Sequence, residues 1–472
     1  MLHKVVEILL FLQPVVFIYF IVLNGFYTLF TIISLRDIRN YLTTITSHSI
    51  DNTLNGMFYR PLSILVPAYN EEKTIVASIK SLLALRYPEY EVIVVNDGST
   101  DGTLNRLIEE FRLVRIDRPI SLVVPHEPLI AKYVSIDHPH LFVLDKENGG
   151  KADALNAGIN ASRFPLFCSI DADSVLENDA LIRATRLFVE DREVIATGGI
   201  VRVLNGCEVE DGVVRKVKAP RGLLESFQSV EYTKGFLSGR TSWNYFRSLL
   251  IISGAFGIFR KDMVVAVNGY RKSVGEDMDL VVRLHRHCRE KKIRYKVVFV
   301  PDPVCWTQVP SDLVSLLKQR NRWHRGLIDS LWHGKRMFLN PRYGMVGIFG
   351  FPYFFFVEMF GPAVEFLGYV GFLILFILGH VSREFAILFF LLAVLWGTWI
   401  NLASILLDNL IYKRYGKLGD VMKLCFFGLL EFFGYRQVIV VERLLATFFF
   451  WKKGWGKPKR REIHGEISGS TA

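Results

Sequence analysis

Asp171 and Asp173 stand two apart at the end of the apolar run 166–170, so in an extended chain both side chains point the same way. A pair placed like that can face a divalent ion and a diphosphate. The same spacing also fits a solvated turn or a helix cap, so the pair gains meaning only in company. A second acidic group, Gly275-Glu276-Asp277, precedes the helical stretch 278–287, and a helix's first turn favours acids whatever else they do. A third group, Gln319, Arg322 and Trp323, falls at i, i+3 and i+4 on a helix expected from about residue 311. Those three share one face and can meet a single ligand. Leu313, Leu316, Leu317, Leu327 and Leu331 give the same helix an apolar side suited to a bilayer surface.

The elements that must hold these groups alternate from residue 63 onward. Strands are expected at 63–66, 91–95, 141–144 and 166–170, and helices at 72–85 and 151–161. Ile75, Ile79, Leu82 and Leu83 set the first helix, and Pro88 stops it. Alternation of this kind builds a parallel sheet with helices on its faces. Asp97-Gly98 turns the chain, and Ser99 or Asp101 can cap the next helix. The stretch 114–140, with Pro119, Pro125, Pro128 and Pro139, interrupts the rhythm as an insertion. Functional groups of such sheets gather beyond the carboxyl ends of the strands, where Tyr69, Asn70, Asp97, Asp171 and Asp173 all fall. No G-x-G-x-x-G follows a strand, and Gly149-Gly150-Lys151 lacks the earlier glycine of a P-loop, which excludes both of those nucleotide sites.

Much of the 51% hydrophobic content of this 472-residue chain lies in segments too long and apolar for a soluble core. Residues 8–35 carry no charge and read as a retained anchor, longer than a cleaved signal peptide. Further apolar segments cover 345–380, 385–407 and 421–451. The basic clusters Lys413-Arg414 with Lys417, and 452–461, belong on the cytoplasmic side, so an even number of crossings separates them. The segment 421–451 is therefore a tight hairpin or a re-entrant, interfacial passage. Glu358 and Glu365, seven apart, and Glu431, Arg436, Glu442 and Arg443 are ionisable at membrane depth, where they must be paired or hydrated. They could line a polymer path with Trp396, Trp399 and Asn401, or form structural ion pairs between segments. The net charge of +11 sits largely beside apolar segments, which points to anionic head groups and not to nucleic acid. The five cysteines show no C-x-x-C spacing and are expected to be reduced and inert, and His285, His287 and Cys288 read as the polar face of a helix, not a metal site.

In order, Pro67-Ala68-Tyr69-Asn70-Glu71, Asn96-Asp97-Gly98-Ser99, Asp171-Ala172-Asp173, Gly275-Glu276-Asp277 and Gln319-Arg320-Asn321-Arg322-Trp323 resemble the motifs of processive family 2 glycosyltransferases, the group of cellulose, hyaluronan, chitin and poly-N-acetylglucosamine synthases. The likeness covers about residues 63–326. It implies an α/β fold of the GT-A type, a Rossmann-like, mostly parallel sheet embedded among transmembrane and interfacial helices. It further implies inversion at the sugar C1 of a UDP-sugar with Mg2+ or Mn2+. Ala68, Tyr69, Glu71 and Asp97 then match the uridine pocket, Lys151 a nucleotide contact, and Asp171 and Asp173 the diphosphate and metal site, with Asp173 as metal ligand. Asp277 matches the general base, with Glu276 and Asp279 adding negative charge that would raise its pKa. Gln319 and Arg322 match donor contacts, Trp323 a stacking platform for the acceptor sugar, Ser253-Gly254-Ala255-Phe256 the acceptor-side loop, and Glu276 a further acceptor contact. The related motif usually has Thr where this chain has Gly275.

The expected organisation is an anchor at 1–40, a cytoplasmic GT-A domain at 60–308, amphipathic interfacial helices at 309–343, a membrane region at 344–451 and a basic cytoplasmic tail at 452–472. The expected activity is extension of a polysaccharide at the inner membrane. Transfer of one sugar to a lipid, or an inactive nucleotide-sugar-binding scaffold, are the alternatives. Sugar identity and any accessory secretion protein do not follow from these residues.

Overall fold

The computed structural model describes residues 2–47, 59–210 and 212–449. Its strands are β1 (Leu62–Ala68), β2 (Tyr90–Asp97), β3 (Leu113–Arg115), β4 (Leu129–Ser135), β5 (Leu141–Lys146), β6 (Leu166–Ile170), β7 (Ser174–Leu176), β8 (Val194–Val203), β9 (Glu208–Glu210), β10 (Val213–Lys216), β11 (Phe256–Arg260) and β12 (Lys296–Thr307). Ten form one sheet in the order β3-β4-β5-β2-β1-β6-β11-β8-β12-β7, and β9 pairs with β10 apart from it.

The block β5-β2-β1-β6 is parallel, as the alternation predicts. Helices cover both faces of such strands, which is why β6 is buried along its whole length. Outside that block the sheet becomes mixed: β3, β4, β11 and β7 run antiparallel to their neighbours, while β8 and β12 pair in parallel. The insertion 114–140 supplies β4 and most of β3. Pro119, Pro125 and Pro128 fall in the loop between those two strands, the place proline can occupy without breaking a ladder.

One sequence expectation is overturned in the helix Glu276–Glu290. His285 and Cys288 do not lie on a polar face: both are buried, and the His285 ring lies between the Leu249 carbonyl and the Tyr295 hydroxyl, each at 2.8 Å. Burial lowers the imidazole to about 4, so it stays neutral. Spaced three apart, the two residues follow the helix's inward stripe, and the polarity of histidine masked that stripe in the sequence. The cysteines are all free, with Cys168, Cys288 and Cys305 buried.

Among the described residues, three helical segments are long and apolar enough to cross a membrane: His3–Arg39, Val346–Ile377 and Arg383–Tyr412. Leu418–Leu430 and Tyr435–Phe448 form a pair bent by 57°, the shape of a broken span or a re-entrant loop. Trp451 and the basic tail 452–472 lie outside the described residues. Polar pairs clamp the sheet to these segments. Arg202 of β8 makes a two-pronged ion pair with Asp408, including Nη1 to Oδ2 at 2.8 Å, and Arg414 reaches Glu177 at 2.5 Å. Burial alone would lower the Arg202 guanidinium, but Asp408 outweighs it and holds it above its ordinary value.

The Arg202 and Asp408 side chains are only 8% and 3% exposed. Removing one partner leaves a buried charge without its counterion, which costs about 3–5 kcal/mol. Asp408→Ala should therefore lower the thermal midpoint of the detergent-purified protein clearly, whereas Glu208→Ala, in an exposed pair with Lys218, should leave it unchanged.

Candidate active site

The site begins where β1 and β2 end side by side, with Ala68 opposite Asn96. Asn70 turns the chain with a positive φ of 57°. Its N–H donates to Ser99 Oγ at 3.0 Å, and its Oδ1 accepts from the Thr100 N–H at 2.7 Å, so the two motif loops are tied together. Tyr69 is exposed beside them, while the Glu71 carboxylate is buried and accepts from Thr74 Oγ1 at 3.0 Å. Gly98 takes φ +64°, and a Cβ there would lie 2.9 Å from the Asn148 nitrogen, so both conformation and space demand glycine.

Asp97, the last residue of β2, is 2% exposed. Its carboxylate accepts from Lys146 Nζ at 2.8 Å, Asn148 Nδ2 at 3.2 Å, and the N–H groups of Gly149 and Gly150 at 3.0 and 2.7 Å. Any contact with a nucleotide base is thus shared with the work of holding the loop that launches the helix Lys151–Ala161. Lys151 opens that helix, and its Nζ reaches Asp171 Oδ1 at 2.5 Å and Glu276 Oε1 at 3.3 Å. Burial would depress this ammonium, but Asp171 and Glu276 outweigh it and raise it, so the site keeps a fixed cation.

Asp277 faces the small-residue loop. Its Oδ2 accepts from the Gly254 N–H at 3.1 Å, and its Oδ1 from the Met278 N–H at 2.8 Å. The carboxyl pushed upward here is Glu276, through burial first and the Asp277 charge further down, against the pull of Lys151. Asp279 does not add to this group: it is turned away, 1% exposed, between Arg271 Nε at 3.0 Å and Arg283 Nε at 2.7 Å. One position past Met278 on a helix is enough to aim a side chain at a different neighbour.

Across the cleft, Asp312 caps the helix Leu313–His333 by accepting from the Ser315 N–H at 2.9 Å. Trp323 is 43% exposed, with Tyr232 6.3 Å away between ring centroids. Arg322 is half-buried on the same helix, one residue before Trp323. Gln319 is half-buried on the same helix, and its Oε1 has no hydrogen-bond partner among the described residues.

Sequence reasoning passed over Arg320, Glu231 and Arg240. Arg320 is buried beneath Trp323, 4.3 Å from the indole centroid, and donates to Glu231 Oε2 at 2.7 Å, which also accepts from the Tyr435 hydroxyl. Arg240 ends a π-helical stretch, Lys234–Arg240, over the Phe236 ring at 4.0 Å. Burial lowers its guanidinium to about 10, with Asp277 pulling the other way. Arg320 lay in plain view inside its motif; Glu231 and Arg240 sit in a stretch with no diagnostic spacing.

No group of three His, Cys, Asp or Glu among the described residues could cage a metal. The Asp171-Ala172-Asp173 donors still fit a magnesium- or manganese-type ion, which takes one or two carboxylates and completes its shell with substrate phosphates and water. Lys151 already sits against Asp171, as a cation in that place would. The acids at membrane depth are paired: Glu365 with Arg436 at 2.7 Å, Glu358 with Arg443 at 3.1 Å, and Glu431 with Lys234 at 3.4 Å and Asn401 at 2.5 Å. A small cavity beside them is lined by Asn24, Tyr27, Lys234, Phe432 and Arg436 among others, and not by Trp396 or Trp399.

Two family descriptions match this chain: "Glycosyl transferase family group 2" over residues 166–400 and "Glycosyl transferase family 2" over residues 63–122. The chain belongs to glycosyltransferase family 2. It is 30% identical over 318 residues to a poly-β-1,6-N-acetyl-D-glucosamine synthase of Staphylococcus aureus, a match covering 67% of the chain and 64% of that relative. Against the synthase of Staphylococcus epidermidis it is 29% identical over 275 residues, 57% of the chain and 56% of the relative. The chain thus spans somewhat less than two thirds of the length of these relatives. In fold, it is similar to a mannosyltransferase of Pyrobaculum calidifontis solved with GDP-mannose and Mn2+, at a TM-score of 0.54 and 17% identity, over 84% of this chain and 99% of that one. That likeness carries the GT-A architecture.

The two motif arginines of this family 2 member should separate by experiment. Arg320→Ala breaks a buried, charge-assisted hydrogen bond worth about 1.5–3 kcal/mol and should lower the thermal midpoint. Arg322→Ala should leave that midpoint in place while sharply reducing sugar transfer.

Proposed function

We propose that the chain is an inverting glycosyltransferase that moves a sugar from a UDP-sugar onto a growing polysaccharide at the cytoplasmic face of the inner membrane and passes the polymer outward. The observation that carries this reading is the convergence of Lys151, Asp171, Glu276 and Asp277 against the Gly254 loop, in a sheet that Arg202 ties to Asp408 on a helix long and apolar enough to cross a membrane. The polysaccharide synthases among its relatives support the acceptor class.

In this reading the uracil and ribose rest against Ala68, Tyr69 and Glu71, on the loop that Asp97 holds. Lys151 and Arg322 take the diphosphate. Asp171 and Asp173 would hold Mg2+ or Mn2+, which when bound offsets the charge that grows on the leaving diphosphate. Trp323 receives the acceptor sugar on its exposed face, as the apolar C–H side of a sugar suits an indole, with Ser253 and Gly254 closing the acceptor side. Asp277 takes the proton from the acceptor hydroxyl. The freed oxygen attacks C1, the bond from C1 to the phosphate oxygen breaks, and UDP departs with that electron pair, leaving C1 inverted. The two N–H groups on Asp277 keep its carboxylate aimed during this step.

The orientation follows from supply, since UDP-sugars come from the cytosol. The domain limits proposed are an anchor at 1–40, the catalytic domain at 60–308, interfacial helices at 309–343 and a membrane region at 344–451, with the tail 452–472 inside. The cavity lined by Asn24, Tyr27, Lys234 and Arg436 borders the proposed exit route.

Purified protein given a panel of UDP-sugars should release UDP with one of them and build a product much longer than a single sugar, degraded by a matching endoglycosidase. Asp277→Asn should retain UDP binding and lose about 10²–10⁴ in rate. A product extractable into organic solvent and bearing one sugar would instead assign a lipid acceptor; no turnover with any nucleotide sugar would leave the scaffold reading.

Chelation with EDTA should abolish transfer, and added Mn2+ or Mg2+ should restore the parent but not Asp173→Ala. Full activity in metal-free buffer would remove the ion from this scheme.

A further inference from the structure

Position 275, where the related motif usually has Thr, is occupied by a glycine whose backbone touches a second glycine. A Cβ on Gly275 would lie 2.7 Å from Gly326 Cα and 2.9 Å from its carbonyl carbon. The converse holds for a Cβ on Gly326, which would lie 2.7 Å from Gly275 Cα. The obstacle on both sides is main chain, which cannot rotate aside as a flexible side chain can. Gly275 precedes the helix that carries Asp277, and Gly326 lies three residues beyond Trp323 on the helix Leu313–His333.

Further contacts fasten the same junction. Ser273 Oγ donates to Asp329 Oδ2 at 2.6 Å, and Arg271 bridges Asp329 and Asp279. Met278 and Val282 pack with Leu331 and Leu327 behind the glycine pair. The same helix also packs on the sheet, with Leu280, Val281 and Leu284 in the main core, while its first turn meets the donor side through the bond from the Gly254 N–H to Asp277 and the pair of Glu276 with Lys151. The start of the helix bearing the base is therefore held by main-chain contact on the Trp323 side and by side-chain polar contacts on the Lys151 side.

We infer that Gly275 and Gly326 are positioning residues that lock Asp277 and Trp323 into one rigid unit, fixing the height of the base over the acceptor hydroxyl. The inference rests on the proposed roles of Asp277 and Trp323. A threonine at 275 would place its Cβ inside the Gly326 backbone and force the two helices apart. The residue typical of the related motif is thus expected to be harmful in this chain. A displacement of about 1 Å in reacting groups can cost about 10²-fold in rate.

The test compares the parent with Gly275→Thr, Gly275→Ala and Asp329→Asn, all as full chains in detergent. Gly275→Thr should lower the transfer rate at least about tenfold, with UDP affinity within about twofold of the parent. It should also raise the fraction of released UDP that is not matched by sugar in product, because water replaces a misaligned acceptor. Gly275→Ala should fall between. Asp329→Asn, which weakens the fastening without adding bulk, should shift that fraction the same way and decides the matter if Gly275→Thr does not fold. Backbone hydrogen exchange gives a readout that needs no turnover: segments 271–279 and 322–328 should both exchange faster in the variants. Parent rates in Gly275→Thr, UDP affinity falling in step with rate, or faster exchange confined to 271–279 would each overturn the inference. An inert parent would count against the proposed reaction, while the exchange data would still judge the locked unit.

Discussion

A carboxylate sealed from water has to be satisfied by protein donors, and the buried side chain of Asp97 imposes that demand on everything around it. Lys146, Asn148, Gly149 and Gly150 answer it, so the loop 148–150 has one place to go. Gly98 must be glycine because that loop passes against it. Once the loop is fixed, the helix Lys151–Ala161 starts where it does, and the Lys151 ammonium arrives between Asp171 and Glu276. One unexposed anion thereby sets the position of a cation several contacts away at the reacting end of the sheet.

The half that carries Trp323 depends on the long apolar segments instead. The helix Leu313–His333 joins the segment Tyr435–Phe448 through Asn321 to Glu442 at 2.8 Å and His324 to Thr447 at 2.7 Å. Arg436 and Arg443 of that segment in turn hold Glu365 and Glu358. Ionised groups at such depth persist only when paired, so these acids anchor the bundle, and the indole of Trp323 rides on the result. Beneath that indole, Arg320 uses its charge on Glu231 and its flat face on the ring, a geometry that lysine would not reproduce.

How much of this could be read in advance varied with the range of the interactions. Period and punctuation placed the parallel block, and β6 and the helix Lys151–Ala161 fall on the expected residues. The strand-end rule drew Asp97 and Asp171 to the same side of the sheet, and motif order brought Asp277 to Lys151's neighbourhood. What stayed hidden required partners distant in the chain. β3 pairs with β4 across a proline-rich loop; Glu231 gains its place only when Arg320 folds against it; His285 hides a buried polar group in an inward stripe. Asp279 shows the opposite error, in which closeness in sequence suggested a shared charge that the helix turn separates.

The Arg202 and Asp408 pair has a consequence for handling the protein. Ion pairs at a wet surface weaken as mobile ions accumulate, since at 0.1 M the screening distance is about 10 Å, but a pair enclosed on all sides is largely insulated from that atmosphere. The sheet therefore does not behave as a peripheral layer that a high-salt wash strips from its hydrophobic base. A soluble fragment cut before residue 344 would uncover a guanidinium meant to be enclosed, along with Phe227 and Leu316, which pack against Tyr435. Detergent extraction of the whole chain, and not trimming, preserves the surface on which its catalytic half is built.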